Sequence, residues 1–236
     1  MKLSDANILV LDDEVELSEL CAEWLVAAGT HKVFTADDAE GALAMLLAES
    51  IDLLLTDVRM PGMDGLDLVR ELAQIGKTLP AFFLSGFEGI DPREMYSLGV
   101  EALLRKPVEQ ELLLEVSKTA LAERSSLWLT EMTIAPKQSV RIKAMRLGKT
   151  AETDTVCLGR GGFSTKATES LRLGKVAFQC CLADDKREMS GQGYVRWKSR
   201  DDQKVGIEFA YLEPACHSWV AEQITSLLPS CFIPGD

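Results

Sequence analysis

The chain has 236 residues, 47% of them hydrophobic, enough for two modest domains with separate apolar cores. Its formal charge of -12 is unevenly spread: residues 1–125 carry 24 acidic and 10 basic side chains, whereas residues 126–236 carry 13 and 15. That balance argues against a nonspecific grip on DNA or RNA, and no apolar run approaches the roughly 20 residues a membrane-crossing helix needs.

The six cysteines form no CxxC pair and accompany only two histidines, so zinc-ligand spacing is missing. The N-terminus lacks the basic stretch and apolar core of a signal peptide. A soluble, cytoplasmic protein with reduced thiols is expected, without membrane insertion and without DNA as a partner.

In chain order, five short apolar runs predict strands at Ile8–Leu11, Val33–Thr35, Leu53–Thr56, Ala81–Leu84 and Ala102–Leu104. Helical spacing joins Leu17, Leu20, Cys21, Trp24 and Leu25, then Ala39, Leu43, Leu46 and Leu47, then Leu66, Val69 and Leu72. A fifth helix is predicted from about Glu109 to Arg124, because Pro107 closes the strand and Leu112, Leu113, Val116 and Leu121 continue an apolar face. Strands interleaved with helices imply an α/β, doubly wound parallel sheet covered on both faces, whose function gathers at the strand carboxyl ends.

The pattern changes after Arg124, and residues 125–136 read as a linker between a first domain at 1–124 and a second at 137–236. In the second, β signals fall at Val140–Leu147, Thr153–Leu158, Val176–Leu182, Gly193–Trp197 and Val205–Phe209, punctuated by Gly161-Gly162 and Asp201-Asp202. Short strands in so few residues predict a small antiparallel β-barrel. Pro214 to Leu228 places Trp219, Val220, Ile224, Leu227 and Leu228 on one face of a terminal helix that packs on that barrel.

Chemistry concentrates in the first domain. Asp12 and Asp13 follow the first strand and Asp57 ends the third, so adjacent strands bring three carboxylates together. Such a cluster repels itself unless a cation neutralises it, and a hard divalent ion such as Mg²⁺ suits oxygen donors. With metal bound, Asp57 can attack phosphorus as a nucleophile, Lys106 can offset charge on the transferred oxygens, and the Ser85 hydroxyl can bond the phosphoryl group. An aspartyl-phosphate phosphatase acting on a separate substrate would want a second aspartate two residues beyond the nucleophile, where Arg59 stands. No enzyme is expected beyond self-phosphorylation and dephosphorylation.

Leu11-Asp12-Asp13-Glu14, the run from Thr56 through Asp57, Arg59, Met60-Pro61-Gly62 and Asp64-Gly65, Ser85-Gly86 and Lys106-Pro107 together resemble the signature of response-regulator receiver domains over roughly residues 5–122. The resemblance implies a flavodoxin-like fold, Asp57 as phosphoacceptor, and Asp13 and Asp57 as direct Mg²⁺ ligands. Asp12 would act through a metal-bound water, the backbone carbonyl of Arg59 as a further ligand, and the Lys106-Pro107 bond would be cis. It also implies a sensor histidine kinase or phosphotransfer protein as partner, and leaves a homodimer open. Two positions depart from the pattern: Leu103 stands where an aromatic residue is usual, and Gly86 follows Ser85 in place of the commoner alanine.

In the second domain, Thr155 to Phe163, Leu173-Gly174-Lys175-Val176, Gly193 to Trp197 and Val205 to Phe209 resemble landmarks of a PilZ domain over about residues 137–228. That family implies a six-stranded barrel and cyclic di-GMP as ligand. Its nucleotide motifs are degenerate here: the Asp/Asn-x-Ser-x-x-Gly turn reads Cys157-x-Gly159-x-x-Gly162, and Arg141 and Arg146 are one residue too far apart. Either Arg141, Arg146, Arg160 and Gly162 form a reorganised nucleotide site, or the barrel acts on an unknown downstream protein. The eroded motifs favour the second reading. Adjacent Cys180 and Cys181 should face opposite sides of a strand.

Overall fold

The computed structural model describes residues 1–86, 89–144, 146–147, 155–166, 171–183, 186–199, 203–227 and 229–235, with the backbone alone at Ala144. Met145, Thr153, Asp201, Asp202 and Leu228, which belong to the expected strands, turn and helix, lie outside the described residues.

Five strands, β1 (Asn7–Leu11), β2 (Lys32–Ala36), β3 (Leu53–Asp57), β4 (Ala81–Ser85) and β5 (Val100–Arg105), pair in parallel in the order β2-β1-β3-β4-β5. That order is the flavodoxin-like doubly wound sheet, with its switch point between β1 and β3. The helices are α1 (Val15–Ala27), α2 (Ala39–Ala48), α3 (Gly65–Gln74), α4 (Pro92–Ser97) and α5 (Gln110–Leu121).

Every residue of β3 and β4 is buried, as a central strand with helices on both faces requires. Ile8, Val10, Leu53, Leu55, Phe82 and Leu84 share a core with Cys21 and Leu25 of α1 and Leu113 of α5. Leu9, Leu11, Leu54 and Phe83 alternate to the other face, and Ala42, Leu46, Leu68 and Leu72 of α2 and α3 are buried too. Each Leu, Ile, Val or Phe among these contributes about 1.5–3 kcal/mol by leaving water.

Caps set the helix starts facing the site. Asp38 accepts the Gly41 amide at 2.6 Å ahead of α2, and Asp64 accepts the Asp67 amide at 2.9 Å ahead of α3. The expected fifth helix stops at Leu121 rather than near Arg124. Ala122 turns to extended backbone (φ -67°, ψ 152°), and Arg124–Ser126 form a separate 3-10 turn.

The remaining strands are β6 (Ser139–Ala144), β7 (Arg146–Leu147), β8 (Thr155–Leu158), β9 (Gly162–Lys166), β10 (Gly174–Leu182), β11 (Glu188–Lys198) and β12 (Lys204–Leu212), followed by α6 (Pro214–Leu227). They pair in the order β6-β10-β11-β12-β9-β8-β7. The row begins and ends on neighbouring pieces of one stretch, 139–147, so the sheet curls towards a barrel. It is mixed rather than purely antiparallel, since β6 runs parallel to β10 and β7 to β8.

Strict alternation in β10 and β11 sends every second side chain inward, with Cys180 buried and Cys181 only half-buried, on opposite faces as expected. Phe163, Phe178 and Phe209 stack at centroid distances of 5.1, 5.6 and 5.9 Å, and Cys216, Val220 and Ile224 of α6 join that core. β9 is the strand that the sequence pattern omitted. Its Gly-Gly start reads as a turn, and its buried Ser164 and Thr165 read as polar surface.

By contacts the chain divides into two compact units. The first holds Met1–Ile90 and Leu98–Ala122; the second holds Asp91–Ser97 together with Glu123–Asp236, so α4 groups with the second unit.

Candidate functional site

The carboxyl ends of β1, β3 and β4 and the residues just after β5 carry the expected side chains. Asp12 is fully buried after β1, Asp13 beside it is exposed, Asp57 is buried as the last residue of β3, and Ser85 is buried as the last residue of β4. One oxygen from each of Asp12, Asp13 and Asp57 lies within 4.8 Å of the others, close enough for one small cation.

Lys106 sits between them. Its Nζ is 2.6 Å from Asp57 Oδ2, 2.8 Å from Asp12 Oδ2 and 3.3 Å from Glu14 Oε1. The Lys106 amide donates to the Ser85 carbonyl at 3.0 Å, and the Lys106-Pro107 bond is cis, as the resemblance implied. Burial pulls the ammonium pKa down, but hydrogen bonds to Asp12 and Asp57 outweigh it and raise the group above its usual range. Burial pushes the Asp12 carboxyl up, against the Lys106 and Glu14 contacts that lower it.

The donor set fits a hard divalent ion. It offers only carboxylate oxygens, and Asp12 Oδ2 is buried with no hydrogen bond beyond its ion pair to Lys106. Arg59 lies in the loop after β3; its amide donates to Asp57 Oδ1 at 3.2 Å and its guanidinium reaches Asp64 at 3.6 Å.

Three neighbours had no role assigned from the sequence. Glu14 closes the acidic pocket, its amide donating to Asp12 Oδ1 at 3.0 Å while its carboxylate meets Lys106. Thr56 Oγ1 donates to the Asp57 carbonyl at 2.7 Å, fixing the peptide that carries that carboxylate. Gly65 opens α3 so close to that peptide that a Cβ would stand 2.0 Å from the Asp57 carbonyl oxygen. Both Glu14 and Gly65 stand within the quoted motifs, but only distances give them a task.

The residues named for a nucleotide in the second unit lie on different elements. Arg141, exposed on β6, donates to Gln179 Oε1 of β10 at 2.8 Å; Arg146 is exposed on β7; Arg160 occupies the β8–β9 turn. The Arg160 amide donates to the Cys231 carbonyl at 2.9 Å. Gly162 is glycine for a packing reason, since a Cβ there would stand 2.2 Å from the Ile207 carbonyl oxygen.

Comparison with known proteins finds relatives of the first unit. The response regulator receiver domain family matches residues 8–118. The chain is 32% identical over 120 residues to the response regulator protein FleR of Pseudomonas aeruginosa, covering 50% of this chain and 25% of that protein. It is 34% identical over 143 residues to the transcriptional regulatory protein CpxR of Klebsiella pneumoniae, covering 60% of each. The chain thus spans a quarter to about three fifths of these two relatives. Among solved structures, the chemotaxis protein CheY4 of Vibrio cholerae superposes with a TM-score of 0.47 at 28% identity, over 50% of this chain and 99% of CheY4. The stretch that matches the response regulator receiver domain family, residues 8–118, holds the buried aspartate at the end of β3, the lysine 2.6 Å from it and the two further carboxylates within cation-sharing distance.

Proposed function

We propose that the chain is a two-component response regulator whose Asp57 accepts a phosphoryl group from a sensor histidine kinase or phosphotransfer protein, and whose second unit is a PilZ-like output that acts by binding another protein. The observation that carries the first part is the 2.6 Å contact of Lys106 with Asp57 inside a cluster of three carboxylates.

In this reading an Asp57 oxygen forms a bond to phosphorus while the bond to the donor's nitrogen or oxygen breaks, and the leaving group takes up a proton. Asp12, Asp13 and Asp57 would hold a Mg²⁺ ion, which supplies positive charge to the transferred oxygens. Lys106 is already held beside the oxygen that reacts, so its ammonium exchanges a carboxylate partner for a phosphoryl oxygen without moving far. The Arg59 amide orients the other Asp57 oxygen. Ser85, at the end of the adjacent strand, offers its hydroxyl to the new group.

Incubation of the intact chain with acetyl phosphate and Mg²⁺ followed by intact mass analysis tests this. One added phosphoryl group is expected on the wild type and none on Asp57→Asn; equal gain in both would sink the assignment. The protein-binding reading of the output draws support from the turn at Gly159–Gly162, whose Arg160 and Gly161 amides already serve main-chain carbonyls. Calorimetric titration with cyclic di-GMP is accordingly expected to show no micromolar binding, and binding lost on changing Arg141 or Arg160 would replace this reading with a nucleotide sensor.

A further inference from the structure

The turn joining β8 to β9 in the second unit is built around the last residues of the chain. The Arg160 and Gly161 amides donate to the carbonyls of Cys231 and Phe232, both at 2.9 Å. A Cβ on Gly159 would stand 2.3 Å from the Phe232 carbonyl oxygen, and one on Gly161 would stand 1.9 Å from the Phe232 ring. Two glycines therefore form a cradle that any side chain would fill, and Phe232, Ile233 and Pro234 lie buried in or beside it.

The other side of the same segment holds α4. The Phe232 and Ile233 amides donate to the Tyr96 carbonyl at 2.9 and 3.4 Å, and the Tyr96 and Phe232 rings lie 5.9 Å apart. Gly235 sits against Ser97 closely enough that a Cβ would approach the Ser97 Cβ to 2.9 Å. A helix of six residues has too few internal hydrogen bonds to persist unaided, so its position depends on what it packs against. Here that includes the chain's own tail.

We propose that Cys231–Ile233 is a clasp tying α4 to the glycine turn of the β-sheet, and that phosphorylation of Asp57 loosens it. The proposal rests on Asp57 being the phosphoacceptor. Ser85 ends β4, and only residues 86–90 separate it from the α4 segment that begins at Asp91. A phosphoryl group on Asp57 stands beside the end of β4, close in sequence to α4, and α4 meets the clasp through two of the four main-chain hydrogen bonds and the one ring pair just described. The site so defined takes an extended apolar segment through its backbone, and the tail is its resident occupant.

Hydrogen exchange of the full chain, read by mass spectrometry on peptides covering residues 157–163 and 229–235, tests it. On stoichiometric phosphorylation by acetyl phosphate and Mg²⁺, exchange in both peptides is expected to rise by about tenfold as the clasp opens, with no change in Asp57→Asn. Gly161→Ala, which places a methyl in the Phe232 ring, should show the fast exchange before phosphorylation and no further rise after it. Phe232→Ala should behave alike if the glycine variant folds poorly. A confirmed phosphoryl mass with unchanged or slower exchange overturns the clasp alone, as does wild-type exchange in both variants. Absence of the mass gain overturns the phosphoacceptor reading and the clasp with it.

Discussion

The receiver and the second unit place their distinctive contacts on different parts of the chain. In the receiver, Asp12, Asp57, Ser85 and Lys106 bring side chains to or just beyond strand ends, and each is named by its residue type. In the second unit, the turn at Gly159–Gly162 acts through amides and through the lack of side chains. Side-chain chemistry is written locally in a sequence. Main-chain docking depends on a segment some seventy residues away, and nothing in the letters Gly-Arg-Gly-Gly says which segment that is.

The largest expected effect probes the second unit where its sequence was least explicit. Phe163→Ala on β9 removes a fully buried ring that packs edge-on against Phe178 and tilted against Phe209, and should cost about 3–5 kcal/mol in the urea unfolding of that unit. Unchanged phosphoryl uptake in the same variant would sharpen the contrast, because the receiver's chemistry would be shown not to need that core.

In the receiver, Lys106→Met keeps the aliphatic stem and removes the charge 2.6 Å from Asp57. The initial rate of phosphorylation by acetyl phosphate should fall about 100-fold, the scale of losing one preorganised cation from a transferring group. A loss under threefold would mean the ion pair is only structural.

Smaller effects come from the helix that borders the site. Asp38→Ala deletes the side chain that accepts the Gly41 amide at 2.6 Å, and the receiver should lose about 1 kcal/mol of stability by urea denaturation. At the bottom of the scale are two adjacent thiols. Burial pushes Cys180 up to about 12, whereas Cys181 is half-buried on the other face. Native alkylation at pH 8 should modify Cys181 about fivefold faster than Cys180, and equal rates would show that the β10 alternation is misassigned.

How far the letters carried is plain from particular residues. Three of the five receiver strands, β1, β3 and β4, appear where apolar runs end in Asp12, Asp57 and Ser85, because a central parallel strand is hydrophobic throughout and its chemistry begins where the run stops. β9 was illegible because Gly161-Gly162 is also a turn signal and because Ser164 and Thr165 are buried polar groups, which run against the usual partition. α4 is six residues long and shows no period that could be read. Glu14 and Gly65 were visible as letters in a motif, yet their tasks, one electrostatic and one steric, appear only in the 3.3 Å from Glu14 to Lys106 and in the 2.0 Å at which a Cβ on Gly65 would meet the Asp57 carbonyl oxygen.

Gly65 bears on how this protein should be mutagenised. An alanine scan treats alanine as the blank and measures what is lost when atoms are deleted. At Gly65 the scan runs backwards, since the one methyl it adds must displace the main-chain carbonyl of Asp57. A survey that leaves glycines out would record an acidic pocket and a lysine and overlook the absent atom that lets the first turn of α3 reach the peptide beneath them.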